Sequence, residues 1–295
     1  MGYIEGAREN ILSENFGGAA STTGVHAAVT DNGAQQVVVN GLIGPPFPAK
    51  ITATAGGTAG DIKAITVTVA GLDPAGQSIS EVLPAFTVDT PGTVTGLKVF
   101  AKVTSVTIPA HDGTGATTAI GHTGSPAVAT TGWVKAAVTD NGAPQVFTGT
   151  ALINPDVPRC ITATAGGTGA DIKAIQVVVE GTDAAGNPIT ESLPAFTVDT
   201  PGTVTGTKAF KTVTKVTIPA HDGTGATTAI GTSEKIGLKE ARKRKTVLAS
   251  YLNGVLEGTA ATETFDATDV SKNTVDLNSA LNSTPVAVEY VTAHN

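Results

Sequence analysis

The stretch ITATAGGTAGDIKAI at 51–65 returns as ITATAGGTGADIKAI at 161–175, 110 residues downstream. Carried forward to Gly121, the second copy is identical to the first at 55 of 71 positions. Upstream, AAVTDNGA at 27–34 recurs at 136–143 with an offset of 109, so one extra residue lies between Gly142 and Ile161. A period near 100 residues is too long for a solenoid, whose repeats run to about 20–50 residues, and suits a domain with its own core. The duplication predicts two tandem domains, repeat 1 at 25–122 and repeat 2 at 134–231, joined by a linker at 123–133. Residues 1–24 are polar, contain Gly17-Gly18, and read as an N-terminal arm, mobile or forming one short helix.

Inside each repeat, side chains alternate with the two-residue period of a strand. In IKAITVTVAG (62–71), Ile62, Ala64, Thr66 and Thr68 fall on one side and Ile65, Val67 and Val69 on the other. The second copy places Ile175, Val177 and Val179 inward. GLDPAGQSI and GTDAAGNPI then gather Asp, Gly, Pro and Asn between two alternating runs, as a hairpin turn does. Strands continue through SEVLPAFTV, GTVTGLKVF and KVTSVTIPA. Short strands with turn signals every 8–12 residues predict an all-β chain of two duplicated β-sandwiches of Ig-like architecture. The Cys…Trp…Cys pattern of antibody domains is absent. After Gly231 the sequence changes. Asn253-Gly254 sits between apolar runs, a strong hairpin signal, and Val286, Val288 and Tyr290 alternate near the end. Residues 232–295 therefore read as a C-terminal β region, either a third small domain or strands completing repeat 2.

Composition agrees. The chain has 48 Thr, 35 Gly and 16 Pro, with 40% hydrophobic, 4% aromatic and 15% charged residues. The apolar content excludes a disordered polyelectrolyte, and Gly without a three-residue period excludes collagen. No run of about 18 apolar residues is present, and MGYIEGAREN lacks the basic and apolar regions of a signal peptide. A net charge of −7 argues against general nucleic-acid binding. Cys160 is the only cysteine, which suits assembly in a reducing compartment.

Candidate chemistry is sparse. PAHDGTGATTAIG occurs twice, so His111-Asp112 and His221-Asp222 are duplicated, but no further His or Cys stands at zinc-ligand spacing and one Asp per copy is too few for a calcium loop. They read as turns. AGGTAGD and HDGTGATT lack the Gly-Lys-Ser/Thr ending of a phosphate loop. Asp61/Asp171 and Glu81/Glu191 could suggest a glycosidase pair, yet aromatic sugar platforms are scarce and nothing brings the carboxylates together. No G-x-S-x-G elbow occurs. The expectation is a non-enzyme with no cofactor and no metal. One charge cluster stands apart: Lys235, Lys239, Arg242, Lys243, Arg244 and Lys245 place six cations in eleven residues. It reads either as a solvated, pairing-resistant edge or as a docking patch for an acidic protein surface.

The run GTDAAGNPITESLPAFTVDTPGTVTGTKAFKTVTKVTIPAHDGTGATTAIG resembles the β-rich modules of tailed-bacteriophage virion proteins. KIGL…TVLASYLNGVLEGTA…NTVDLNSALN resembles the C-terminal part of such proteins. The likeness covers most of 134–295, and repeat 1 through the duplication, which departs from a single-module form. It implies a non-enzymatic particle component located in the virion after assembly in the host cytoplasm: a capsid decoration or cement protein, or a neck-associated one. The implied partners are major capsid or neck and tail proteins and further copies of itself, with neither nucleic acid nor membrane. The alternative is a tail, fibre or surface-adhesin module that recognises cell-surface glycans.

Overall fold

A computed structural model describes residues 9–293, in which every regular element is a β-strand apart from four single 3-10 turns. Strand β1 (Glu9–Phe16) comes first. Repeat 1 supplies β2 (Ser21–Thr30), β3 (Gln36–Val38), β4 (Ala49–Gly57), β5 (Thr68–Leu72), β6 (Ser78–Val82), β7 (Gly92–Phe100), β8 (Lys102–Ile108) and β9 (Ala116–His122). The second half carries β10 (Thr130–Thr139), β11 (Gln145–Thr148), β12 (Arg159–Gly167), β13 (Val178–Thr182), β14 (Pro188–Ser192), β15 (Gly202–Phe210), β16 (Thr212–Ile218) and β17 (Ala226–Gly237). Five strands close the chain: β18 (Val247–Leu252), β19 (Val255–Leu256), β20 (Thr262–Thr264), β21 (Thr274–Asp276) and β22 (Val286–Ala293). The protein is all-β, built from several small antiparallel sheets.

In repeat 1 the sheets run β2-β9-β4-β7 and β3-β8-β5-β6. One apolar cluster draws on both: Val25, Ile51, Ala53, Phe100 and Ile120 from the first sheet, Val69, Ile79, Val103, Val106 and Ile108 from the second. Ile65, Val67 and Val69 point into this core, as the alternation requires. Ile62, which strict alternation places on the side opposite Ile65, is buried as well. Residues 62–67 are extended but outside the ladders, and the tight turn in which the Ile65 N–H donates to the Lys63 carbonyl shifts the phase, so that Ile62 and Ile65 are both buried. Between Ala70 and Gly71 the β5–β8 register shifts, and a Cβ on Gly71 would lie 1.9 Å from the Lys102 carbonyl oxygen, so only glycine fits that bulge. The expected hairpin is present: Asp73 Oδ1 accepts the N–H groups of Ala75 and Gln77 between β5 and β6.

The second half repeats this pairing, with β11-β16-β13-β14 as one sheet and β15-β12-β17 in the other, β10 also pairing with β17. The difference lies at the end of the repeat. Strand β17 has 12 residues where β9 has 7, and its extra length pairs with β21 and through it with β20. Part of the terminal region thus extends the sheet of repeat 2. The rest forms its own sheet, β1-β22-β18-β19. Its inner face (Phe16, Val286, Val288, Tyr290) closes a core with Val157, Ile236, Leu238, Val275 and Leu281. Residues 9–16, expected within an arm or helix, are instead an eight-residue strand in register with β22, because Leu12, Glu14 and Phe16 alternate toward that core. Residues 1–8 of the expected arm lie outside the described chain.

By compactness Gly17–Ala127 forms one unit, and the residues through Phe16 join those from Val128 onward in the other. Repeat 1 is thus inserted between β1 and the sheet that β1 completes.

Candidate functional site

The side chains that could carry chemistry are occupied by the backbone. His111 Nδ1 accepts the Lys63 N–H (3.1 Å), which assigns the ring proton to Nε2, 3.0 Å from Thr118 Oγ1. The His111 N–H donates to Asp31 Oδ2 at 2.6 Å. His221 repeats the set with Lys173, Thr228 and Asp140. Burial pushes both imidazoles below their ordinary pKa, against the pull of the neighbouring aspartates. Asp112 and Asp222 turn outward to Lys63 and Lys173. The PAHDG loops are therefore more than turns: each pins a buried neutral imidazole across two loops.

The four carboxylates act in the same way. Asp61 and Asp171 each accept a loop N–H, from Gly115 and Gly225 at 2.9 Å. A Cβ on Gly113 would come within 2.3 Å of the Asp61 carboxylate, so the closely packed loop needs glycine there. Glu81 accepts the N–H groups of Leu97 and Lys98 on the open edge of β7, and Glu191 those of Thr207 and Lys208 on β15. Cys160 is buried, and desolvation pushes its thiol up to about 12, far above a reactive range. Among the described residues no three His, Cys, Asp or Glu side chains converge to hold a metal ion.

The six-cation cluster is divided by the structure. Lys235 lies on β17, partly buried. The other five lie on the loop 238–246 between β17 and β18, and Arg242 does not belong to its surface. It is 2% exposed, its guanidinium reaching Glu263 Oε2 at 2.5 Å and the Thr264 carbonyl at 2.7 Å, with Tyr290's ring 5.7 Å away. A buried guanidinium needs a carboxylate, and Glu263 supplies it. Arg242 is therefore an anchor of the loop and not a docking residue.

Further anchors fix the same loop. The Leu238 N–H donates to the Asn273 carbonyl, and the Arg242 N–H to Asn273 Oδ1 at 2.9 Å. Asn273 is fully buried, and its Nδ2 donates to the carbonyls of Asp266 and Asp269. The Lys239 N–H reaches Glu14 Oε2, and the Thr246 N–H reaches Glu263 Oε2. Glu14 is buried and also accepts the Tyr290 hydroxyl at 2.9 Å. Desolvation raises the Glu14 carboxyl and, with Glu14 beside it, the Tyr290 phenol. Held this way, the loop exposes Lys239, Lys243, Arg244 and Lys245, with Glu240 among them. Pre-ordering of the backbone lowers the entropic cost of engaging a partner.

The same unit carries a polar groove of about 500 Å³ lined by Asp183, Asn187, Thr190, Lys208, Thr268 and Asp269. Lys208 Nζ lies 3.8 Å from Asp269 within it. Comparison with models of known protein families and with curated proteins finds no match to this chain.

Proposed function

We propose that the protein is a non-enzymatic structural component of a tailed-bacteriophage virion, a capsid decoration or cement protein or a neck-associated one. It docks through the terminal region on an acidic surface of the shell or neck and stabilises the particle. In this reading each repeat is an Ig-like β-sandwich serving as a rigid body. The observation that carries it is the division of labour among polar side chains. The His, Asp and Glu side chains singled out in the repeats are held in internal hydrogen bonds, whereas the 238–246 loop is braced at several points and leaves Lys239, Lys243, Arg244 and Lys245 exposed, with Lys239 Nζ 3.8 Å from Glu14 Oε1. The phage-like strings in repeat 2 and the terminal region give the setting.

Removing residues 232–295 would not test docking cleanly, because the cut falls inside β17 and strips β1 of its partner strand. Neutralising the exposed cations does. In particles assembled with the variant Lys239→Gln/Lys243→Gln/Arg244→Gln/Lys245→Gln, copies per particle should fall by about tenfold or more, as expected when charge complementarity across an interface is lost. Full occupancy by this variant would rule the loop out as the docking element.

A further inference from the structure

The sheets leave several open edges, and all but one are blunted. Edge strands β3, β11, β19 and β20 have only two to four residues, β6 and β14 have five, and β14 begins with Pro188. Strands β2 and β10 break register twice each along their partners. Strands β7 and β15 are longer, but Glu81 and Glu191 occupy N–H groups on their open sides and each has a register shift. These are the usual devices against strand addition. Strand β1 lacks these, and its one inward carboxylate, Glu14, is taken up by the Tyr290 hydroxyl and the Lys239 N–H. Its eight residues pair with β22 in one unbroken register, without Pro, Lys or bulge. Among the described residues, no backbone or side-chain hydrogen bond reaches its outer edge.

We propose that this edge pairs with β1 of a second copy of the chain, antiparallel about a two-fold axis, to give one continuous eight-stranded sheet from two four-stranded ones. The occupant follows from self-complementarity, since a two-fold contact sets the strand against itself. With the axis perpendicular to the sheet, the register that places Leu12 opposite Leu12 puts Ile11 opposite Ser13 and keeps Glu14 away from its own copy. Leu12 then extends the inner apolar row. Ile11, 66% exposed beside Val291 on the outer face, gains a cross-strand neighbour. Alternate N–H and C=O groups on that edge, without a partner among the described residues, become a ladder. The inference stands on strand geometry and does not rest on the virion reading.

Sedimentation velocity of the full chain over a concentration series tests it. The wild type should show a reversible monomer–dimer equilibrium. Ile11→Lys/Ser13→Lys sets like charges opposite each other at the seam and should weaken dimerisation at least about tenfold. Val37→Lys, at an equally exposed position on repeat 1, should leave it unchanged. A wild type that stays monomeric into the millimolar range would overturn the proposal. So would a seam variant that dimerises normally, or a Val37→Lys variant that weakens the dimer as much. Should the seam variant misfold, hydrogen exchange of wild-type β1 amides decides: slowing at high concentration supports the seam, and concentration-independent exchange refutes it.

Discussion

Arg159 and Asp156 form a buried ion pair, 3.4 Å apart with both side chains at most 2% exposed, at positions where repeat 1 carries Ala49 and Pro46. Arg159 also donates through Nε to the Ser233 carbonyl, on the part of β17 that runs beyond the repeat. Repeat 2 departs from its sibling where the terminal region lies against it, and the substitution pair ties the two together. Arg159→Ala should cost about 3–5 kcal/mol in chemical denaturation, because it breaks a buried ion pair. His111 and His221 give a pH-dependent counterpart. Their folded-state pKa values lie below the ordinary 6.5, so the unfolded chain binds protons first as pH falls. The stability they contribute is complete above about pH 6.5 and declines as pH drops through that value toward the lower folded pKa. The double variant His111→Gln/His221→Gln should be less stable at pH 7.5 and show a flatter slope between pH 7 and 5 in urea titrations.

At the level of elements, the terminal sheet depends on a strand joined to it from far away in sequence. Strand β1 brings Phe16 into the apolar core and Glu14 into a site where burial favours the protonated carboxyl. A raised folded-state pKa means that the stability linked to Glu14 is full below its unfolded value near 4.5 and is lost as pH rises through the folded one. Glu14→Gln keeps an acceptor for the Tyr290 hydroxyl and the Lys239 N–H, so it should slow hydrogen exchange in β1 at pH 7 and leave it little changed at pH 4. Elements whose signal is local were legible in the sequence. Asn253-Gly254 forms the two-residue turn joining β18 to β19, with both residues at positive φ, and Val286, Val288 and Tyr290 all face inward. Strand β1 was not legible, since ENILSENF is polar and its partner lies some 275 residues later. Neither was the burial of Arg242: a run of cations looks uniformly solvated until Glu263, 21 residues on, is seen beneath one of them. The contrast between copies at 154–160 was the available signal, because five of these seven residues differ from their counterparts at 44–50, which marks a surface in different use.

For the molecule as a whole, the duplication has been spent unequally. Repeat 1 keeps a core of its own within Gly17–Ala127, while repeat 2 shares sheet and core with the terminal region. A fragment spanning 17–127 should therefore fold alone, with a cooperative thermal transition and the circular dichroism of a β-protein. A fragment of 128–231 should unfold at a lower temperature than the same residues in the full chain, because Val157 loses its cover and β17 is cut short. The central claim, a particle protein that docks by its terminal region, is tested most directly by locating the chain in an image reconstruction of the intact virion. The account predicts density on the head or neck, with the 238–246 loop against an acidic surface of the shell or collar. Density at a fibre tip with that loop facing solvent, or purified virions that lack the chain, would contradict it.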